Sequence, residues 1–257
     1  MVLSQLKGIV DTKMMVLSQL KGITRKRTLE IIPNVYQIAN RGANIILIVE
    51  EELTLVDTGF LGSSAQVTNF IHSLGRSVEE ISLIIITHNH FDHAGGLAEL
   101  TKLTRAEVAV HQADINDTEG QSPYPRGIRG LLRIPFLATL RQRFLLSPDD
   151  VDIPLAGGEV LEPLGGLEVV HTPGHTPGSI SLYSPREKLL ITGDALGKRR
   201  RGLRLPPKMA STDLTQALDS VKKMAELDFD ILCFGHGRPL TDGVHTKMQE
   251  LIEKIKY

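Results

Sequence analysis

The sequence predicts an α/β protein of layered sheets with helices outside, and three observations carry that expectation. From Ile31 onward, short β-rich runs alternate with stretches of helical apolar spacing. The second half of the chain repeats the style of the first. An apolar content of 41% at a formal net charge of -1 excludes intrinsic disorder, and 257 residues are enough to bury a large core.

The elements follow in order. MVLSQLKGI at residues 1–9 recurs unchanged at 15–23 with no third copy. A solenoid needs at least three units, so residues 1–23 are expected to be a duplicated leader outside the fold, with the folded domain at 24–257. VYQIA, NIILIVE and LTLVDTG, within 35–59, read as consecutive strands with turns at 40–42 and 50–52. Residues 63–74 have helical spacing and stop before Gly75. Ile81–Ile86 reads as a fully buried strand, 97–102 as a short helix and 108–111 as a strand. LEVVHT, ISLYS, KLLITGD and DILCFGH are the strands of the second half, with helices at 214–227 and within 240–257.

Residues 116–150 break this pattern. Pro123 and Pro125 precede a cationic stretch with Arg126, Arg129, Arg133, Arg141 and Arg143, interleaved with Leu131, Leu132, Ile134, Phe136, Leu137 and Leu140. A long insertion of this kind is read as a lid or a homodimer element.

Composition narrows the function. Cys233 stands alone, which excludes a disulfide scaffold. Lys and Arg number 29 against 30 Asp and Glu, which argues against a nucleic-acid partner. No apolar run reaches the ~18 residues of a membrane span, and no leader features are seen, so a cytoplasmic protein is expected.

The strongest chemical signal is Thr87-His88-Asn89-His90-Phe91-Asp92-His93, directly after the buried strand. His88 and His90 point to the same side of an extended chain, and Asp92 and His93 follow as it turns. Such donors suit a borderline metal such as zinc. Three further candidates stand beside glycines: His175 in TPGHTPGS, Asp194 at the end of LLITGD, and His236 in FGHG. Asp194 and His236 are expected to end their strands, where loops over a rigid sheet build sites. Five His and two Asp are too many for one four-coordinate ion but fit two metals. Thr87 and His171 adjoin the motifs as candidate partners of metal-binding residues. His72 and His245 read as helix-surface residues, His111 as structural and Cys233 as a small core residue.

With these motifs in the order Asp57, His88-x-His90-x-Asp92-His93, His175, Asp194, His236, the sequence resembles the metallo-β-lactamase-fold hydrolases from about residue 35 to 237. The resemblance implies a four-layer αββα sandwich with metals in a cleft at a sheet edge. It implies that His88, His90 and His175 bind one metal and that Asp92, His93 and His236 bind a second. Asp194 would bridge the two, with Asp57 behind the ligands. Two divalent ions are expected, zinc first, with iron or manganese as alternatives. Coordination lowers the pKa of water toward 7, so a metal-bridging hydroxide is the expected nucleophile. Asp92 and Asp194 are the catalytic residues by resemblance, Asp92 orienting the nucleophile and carrying its proton.

The expected reaction is cleavage of an ester or lactone in a small-molecule substrate, as in acyl-homoserine lactonases or general esterases and thioesterases. A β-lactamase is disfavoured because the classes it resembles lack a carboxylate at the position of Asp194. A glyoxalase II is disfavoured because the stretch after His236 is short for that family's helical domain. The lactonases often carry a tyrosine soon after the bridging Asp, whereas Ala195, Leu196 and Gly197 follow Asp194 here. The alternative is a phosphoesterase or phosphodiesterase acting on an anionic substrate, suggested by Lys198–Arg201, Arg204 and Lys208. Those charges otherwise read as a solvated loop. A mononuclear iron oxygenase of the same fold is the remaining alternative.

Overall fold

The computed structural model describes residues 28–115, 146, 148–200 and 202–255. The duplicated leader and the cationic apolar segment expected to form a lid or dimer element lie outside the described residues.

The first sheet contains seven strands in sequence order: β1 (Thr28–Ile32), β2 (Val35–Asn40), β3 (Ala43–Val49), β4 (Leu53–Val56), β5 (Ile81–Ile86), β6 (Glu107–His111) and β7 (Ile153–Leu155). β1 to β4 form an antiparallel meander, and β4 to β7 run parallel. Parallel neighbours need crossovers. Helices α1 (Ser64–Ser73) and α2 (Leu97–Leu100) lie in two of them, and α3 (Gln112–Ile115) begins a third. The second sheet is built from β8 (Val160–Leu161), β9 (Leu167–His171), β10 (Ile180–Ser184), β11 (Leu189–Ile191) and β14 (Ile231–Cys233), in the order β14-β11-β10-β9-β8. A hairpin of β12 (Gly197–Arg199) and β13 (Gly202–Arg204) follows β11, and helices α4 (Leu214–Ala225) and α5 (Val244–Ile255) complete the chain.

Strand alternation sorts the apolar residues into three layers. In β3, Ile46 and Ile48 face the second sheet, while Ile45 and Leu47 pack outward with Val67, Phe70 and Ile71 of α1. In β11, Leu189 and Ile191 join the inter-sheet core, while Leu190 packs with Val221 and Met224 of α4 and Leu251 of α5. Helix, sheet, sheet and helix are therefore held by one core between the sheets and one on each outer face, the αββα arrangement expected. Asp213 caps α4 by accepting from the backbone N–H groups of Thr215 and Gln216. Among the described residues, no helix is long and apolar enough to cross a membrane.

One expectation is corrected. β11 and β14 stop at Ile191 and Cys233, so Asp194 and His236 lie three residues beyond the strands rather than at their ends. Gly193, at φ +48°, turns the chain out of extended geometry after β11. Because β11 and β14 are parallel with Ile191 opposite Cys233, equal departures carry Asp194 and His236 to the same place.

Candidate metal centre

The sequence places β5 beside β4 in parallel, with Ile85 opposite Val56. Asp57 therefore leaves its strand next to Thr87. Its carboxylate accepts from the Thr87 backbone N–H at 2.7 Å and from Thr87 Oγ1 at 2.8 Å, and lies 2.7 Å from His93 Nδ1. Thr87 Oγ1 has one hydrogen, which it gives to Asp57. It therefore accepts from His88 Nδ1, 3.1 Å away. These contacts assign the Nδ1–H to both rings and leave His88 Nε2 and His93 Nε2 among the other donor atoms, where neither has a hydrogen-bond partner. Thr87 thus supports the donors, as one reading of the sequence had it.

The remaining donors converge on the same point. His90 Nδ1 and His175 Nε2 are 3.0 Å apart. His236 gives its Nδ1–H to Gly42 O at 2.9 Å, which leaves Nε2 facing Asp194 Oδ2 at 3.2 Å and Asp92 Oδ2 at 3.5 Å. Asp194 also lies 3.5 Å from His175 Nε2 and 3.7 Å from His93 Nε2. Among the described residues, donor atoms within 4.8 Å of one another form three sets: His88, His90 and His175; His88, His93 and Asp194; and Asp92, His93 and His236. All seven residues expected from the sequence are brought together, with Asp57 behind them.

Buried imidazole nitrogens without partners are costly unless a ligand fills them. His88 Nε2, His93 Nε2 and His175 Nδ1 are such atoms. The first two face a nitrogen and oxygen donor set of the kind that binds zinc and its neighbours, so the residues fit a divalent cation. Electrostatics split the rings. Burial, reinforced by the neighbouring imidazoles, pushes His88 and His90 well below the usual histidine range, and burial also lowers His175 against the pull of Asp194. Burial opposes the charged form of His93 too, but Asp57, Asp194 and Asp92 together raise it to about 9. The hydrogen bond with Asp194 raises His236. Burial works against ionisation of Asp194, yet His93, His236 and His175 hold its carboxyl well below the usual range.

Asp114 was not signalled by the sequence. This buried carboxylate accepts from Asn89 N at 2.9 Å, Thr176 Oγ1 at 2.8 Å and Gly178 N at 2.6 Å. Asn89 separates His88 from His90, and Thr176 follows His175, so one side chain ties together the two loops that carry this donor set. No local motif marks it, because its partners are 25 to 64 residues away. Other residues stay apart. His171 stacks on His111 at 4.0 Å and hydrogen-bonds Pro177 O, without touching the donors. Cys233 lies in the inter-sheet core, where burial pushes its thiol up to about 12. Tyr183 donates to Asp228 O. His72 and His245 are exposed.

The donors open into a cleft of about 330 Å³ whose other walls include Phe91, Leu196, Lys198, Arg204, Leu205, Pro206 and Pro207. Part of the stretch that reads as a solvated loop therefore forms the cleft wall, while Arg199 and Arg200 are exposed.

Comparison with known proteins agrees with the geometry. The chain is 28% identical over 203 residues to the probable metallo-hydrolase YflN of Bacillus subtilis, covering 73% of this chain and 76% of that protein. It is 28% identical over 177 residues to an N-acyl homoserine lactonase of a Bacillus species, covering 66% and 62%. Its fold matches the metallo-beta-lactamase family protein TTHA1429 of Thermus thermophilus with a TM-score of 0.68 at 25% identity, covering 88% of this chain and 81% of that one. The sequence model of the metallo-beta-lactamase superfamily matches residues 39–236, from β2 through the last of the convergent donors, and the chain belongs to that superfamily of metal-dependent hydrolases.

Proposed function

We propose that the protein is a dinuclear hydrolase that opens an ester or lactone in a small-molecule substrate. The observation that carries this reading is the position of Asp194. Its carboxylate lies within 3.7 Å of a donor nitrogen from each side, His175 on one and His93 and His236 on the other. His88, His90 and His175 would hold one cation, Asp92, His93 and His236 the second, and Asp194 both. Two divalent ions, zinc first and iron or manganese as alternatives, supply a Lewis acid for the acyl oxygen and acidify water.

The chain's own groups account for the rest. Asp92 lines the cleft beside His236 and is placed to accept the proton of attacking water and return it to the leaving oxygen. Asp57 and Thr87 hold His88 and His93 in the tautomer that leaves Nε2 free. Leu196, Leu205, Pro206 and Pro207 give the cleft an apolar wall for an acyl chain. The lactonase relative, 28% identical, supports the same class of chemistry.

Lys198 and Arg204 in the cleft favour one competing reading, a phosphodiesterase. A panel of lactones, aryl esters and bis(p-nitrophenyl) phosphate, run with metal analysis, decides between them. The expected result is two metal equivalents per chain and a higher kcat/KM on an ester or lactone. Faster cleavage of the phosphodiester than of every acyl substrate would replace the proposal with its competitor.

A further inference from the structure

The chemistry of the donor set leaves Arg204 unused, although it lies in the same cleft. β12 and β13 pair with Gly197 opposite Arg204. The arginine side chain lies across that glycine: a Cβ there would meet Arg204 Nε at 3.1 Å and Cγ at 3.4 Å. Laid down in this way, Arg204 Nε is buried and has no hydrogen-bond partner. Among the described residues, no carboxylate lies within ion-pairing distance of its guanidinium, including Asp92 and Asp194 of the same cleft. Arg76 pairs with Glu80 and donates to two carbonyls, and Lys188 pairs with Asp228. A partly buried guanidinium with an unused donor is costly on its own. It is suited to a planar or tetrahedral oxyanion, which its fork grips through two parallel N–H bonds.

We propose that Arg204, on the cleft wall, is a binding subsite for an anionic group on the substrate, a carboxylate or a phosphate remote from the bond that is cleaved. The substrates are then acyl esters or thioesters that carry a negative charge. This rests on the hydrolase reading above. The apolar side chains between the hairpin and the donors, Leu196 and Leu205, take the uncharged part of the molecule. A methyl group at Gly197 would press on Arg204 Nε and Cγ and displace the side chain by a few tenths of an ångström.

The test compares matched probes on the metal-loaded protein. Mono-4-nitrophenyl glutarate against 4-nitrophenyl butyrate isolates a carboxylate, and S-butanoyl pantetheine 4'-phosphate against S-butanoyl pantetheine isolates a phosphate. In Arg204→Gln, the ratio of kcat/KM for the charged probe over its neutral partner should fall by about tenfold or more, mainly through KM. The pair that shows this fall identifies the anion. Gly197→Ala should lower the same ratio, and Arg204→Lys should restore part of it. A ratio within about twofold of the parent in both pairs for Arg204→Gln overturns the proposal. If the parent cleaves no acyl probe, the ester reading fails, and calorimetric titration with glutarate and with pantetheine 4'-phosphate decides the subsite alone. Binding weakened about tenfold by Arg204→Gln sustains it, and binding equal to the parent's removes it.

Discussion

Asp114→Asn separates the two halves of the centre. The native carboxylate accepts from Asn89 N and Thr176 Oγ1 on one oxygen and from Gly178 N on the other. An amide has one acceptor oxygen, so its NH2 must face either the Gly178 N–H or the Asn89 N–H. One buried backbone donor is left opposed, and the surviving bonds lose their ionic component, for a cost of about 1.5–3 kcal/mol in folding stability. Both stretches of chain concerned carry histidines of one set, His88 and His90 on the first and His175 on the second. Loss of a supporting partner of this kind lowers metal affinity by roughly 10- to 100-fold. His93 and His236 are braced instead by Asp57 and Gly42, so the second site should keep its affinity. Chelator competition with Co2+ reads both sites, and Asp57→Asn serves as the contrast, because Asp57 holds His93 directly and His88 through Thr87 and its loss should weaken both. Equal weakening of the two sites in Asp114→Asn, or no change in either, would refute this division of labour.

Asp194→Ala should lose metal from both sites together with turnover, because its carboxylate faces both donor sets, and metal analysis showing two full equivalents would count against the bridge. Gly235→Ala should fold yet bind metal poorly. Its Cβ would collide with Asp194 Oδ1 and lie 2.7 Å from His93 Cε1, and native metal content by elemental analysis would contradict this. In the metal-free protein, His93 is raised to about 9 from 6.5, so it stabilises the fold fully below pH 6.5 and less as pH rises through 9. His236 is raised as well. The urea midpoint of chelator-treated protein should therefore drop between pH 6.5 and about 9.5, and a midpoint that rises over that interval would reverse the sign assigned to these rings.

The donors were legible in the sequence because their chemistry is local. Four of the seven sit within six residues, and the others stand in glycine-flanked turns. The layers were legible because alternation in runs such as NIILIVE splits into two cores. Short elements escaped: β1 precedes the first run that reads as a strand, and β7, β8 and the β12–β13 hairpin carry too few residues for a pattern to emerge. In the hairpin the consecutive charges Lys198 to Arg201 masked the period of two, so nothing distinguished Arg204 from its solvated neighbours. Asp114 was invisible for a different reason. Its role exists only after β6 has placed it against two loops that are distant in the chain.

That difference bears on how the centre is held. Asp57 braces residues within the first sheet, where the parallel register of β4 and β5 already puts Thr87 and His93 close by. Asp114 spans from the end of β6 to the loop between β9 and β10, and so links the first sheet to the second. Asp194 and His236 follow strands of the second sheet, set side by side by the register of β11 and β14, and His236 is tied to the first sheet through Gly42 O. Each donor set therefore contains members from both sheets, and a shift of one sheet over the other would pull both sets apart. The inter-sheet core that joins Ile46, Ile85, Val169 and Ile191 opposes such a shift. Packing that looks purely structural thereby fixes the spacing of the site, and core substitutions that leave the fold intact should still register as altered metal affinity.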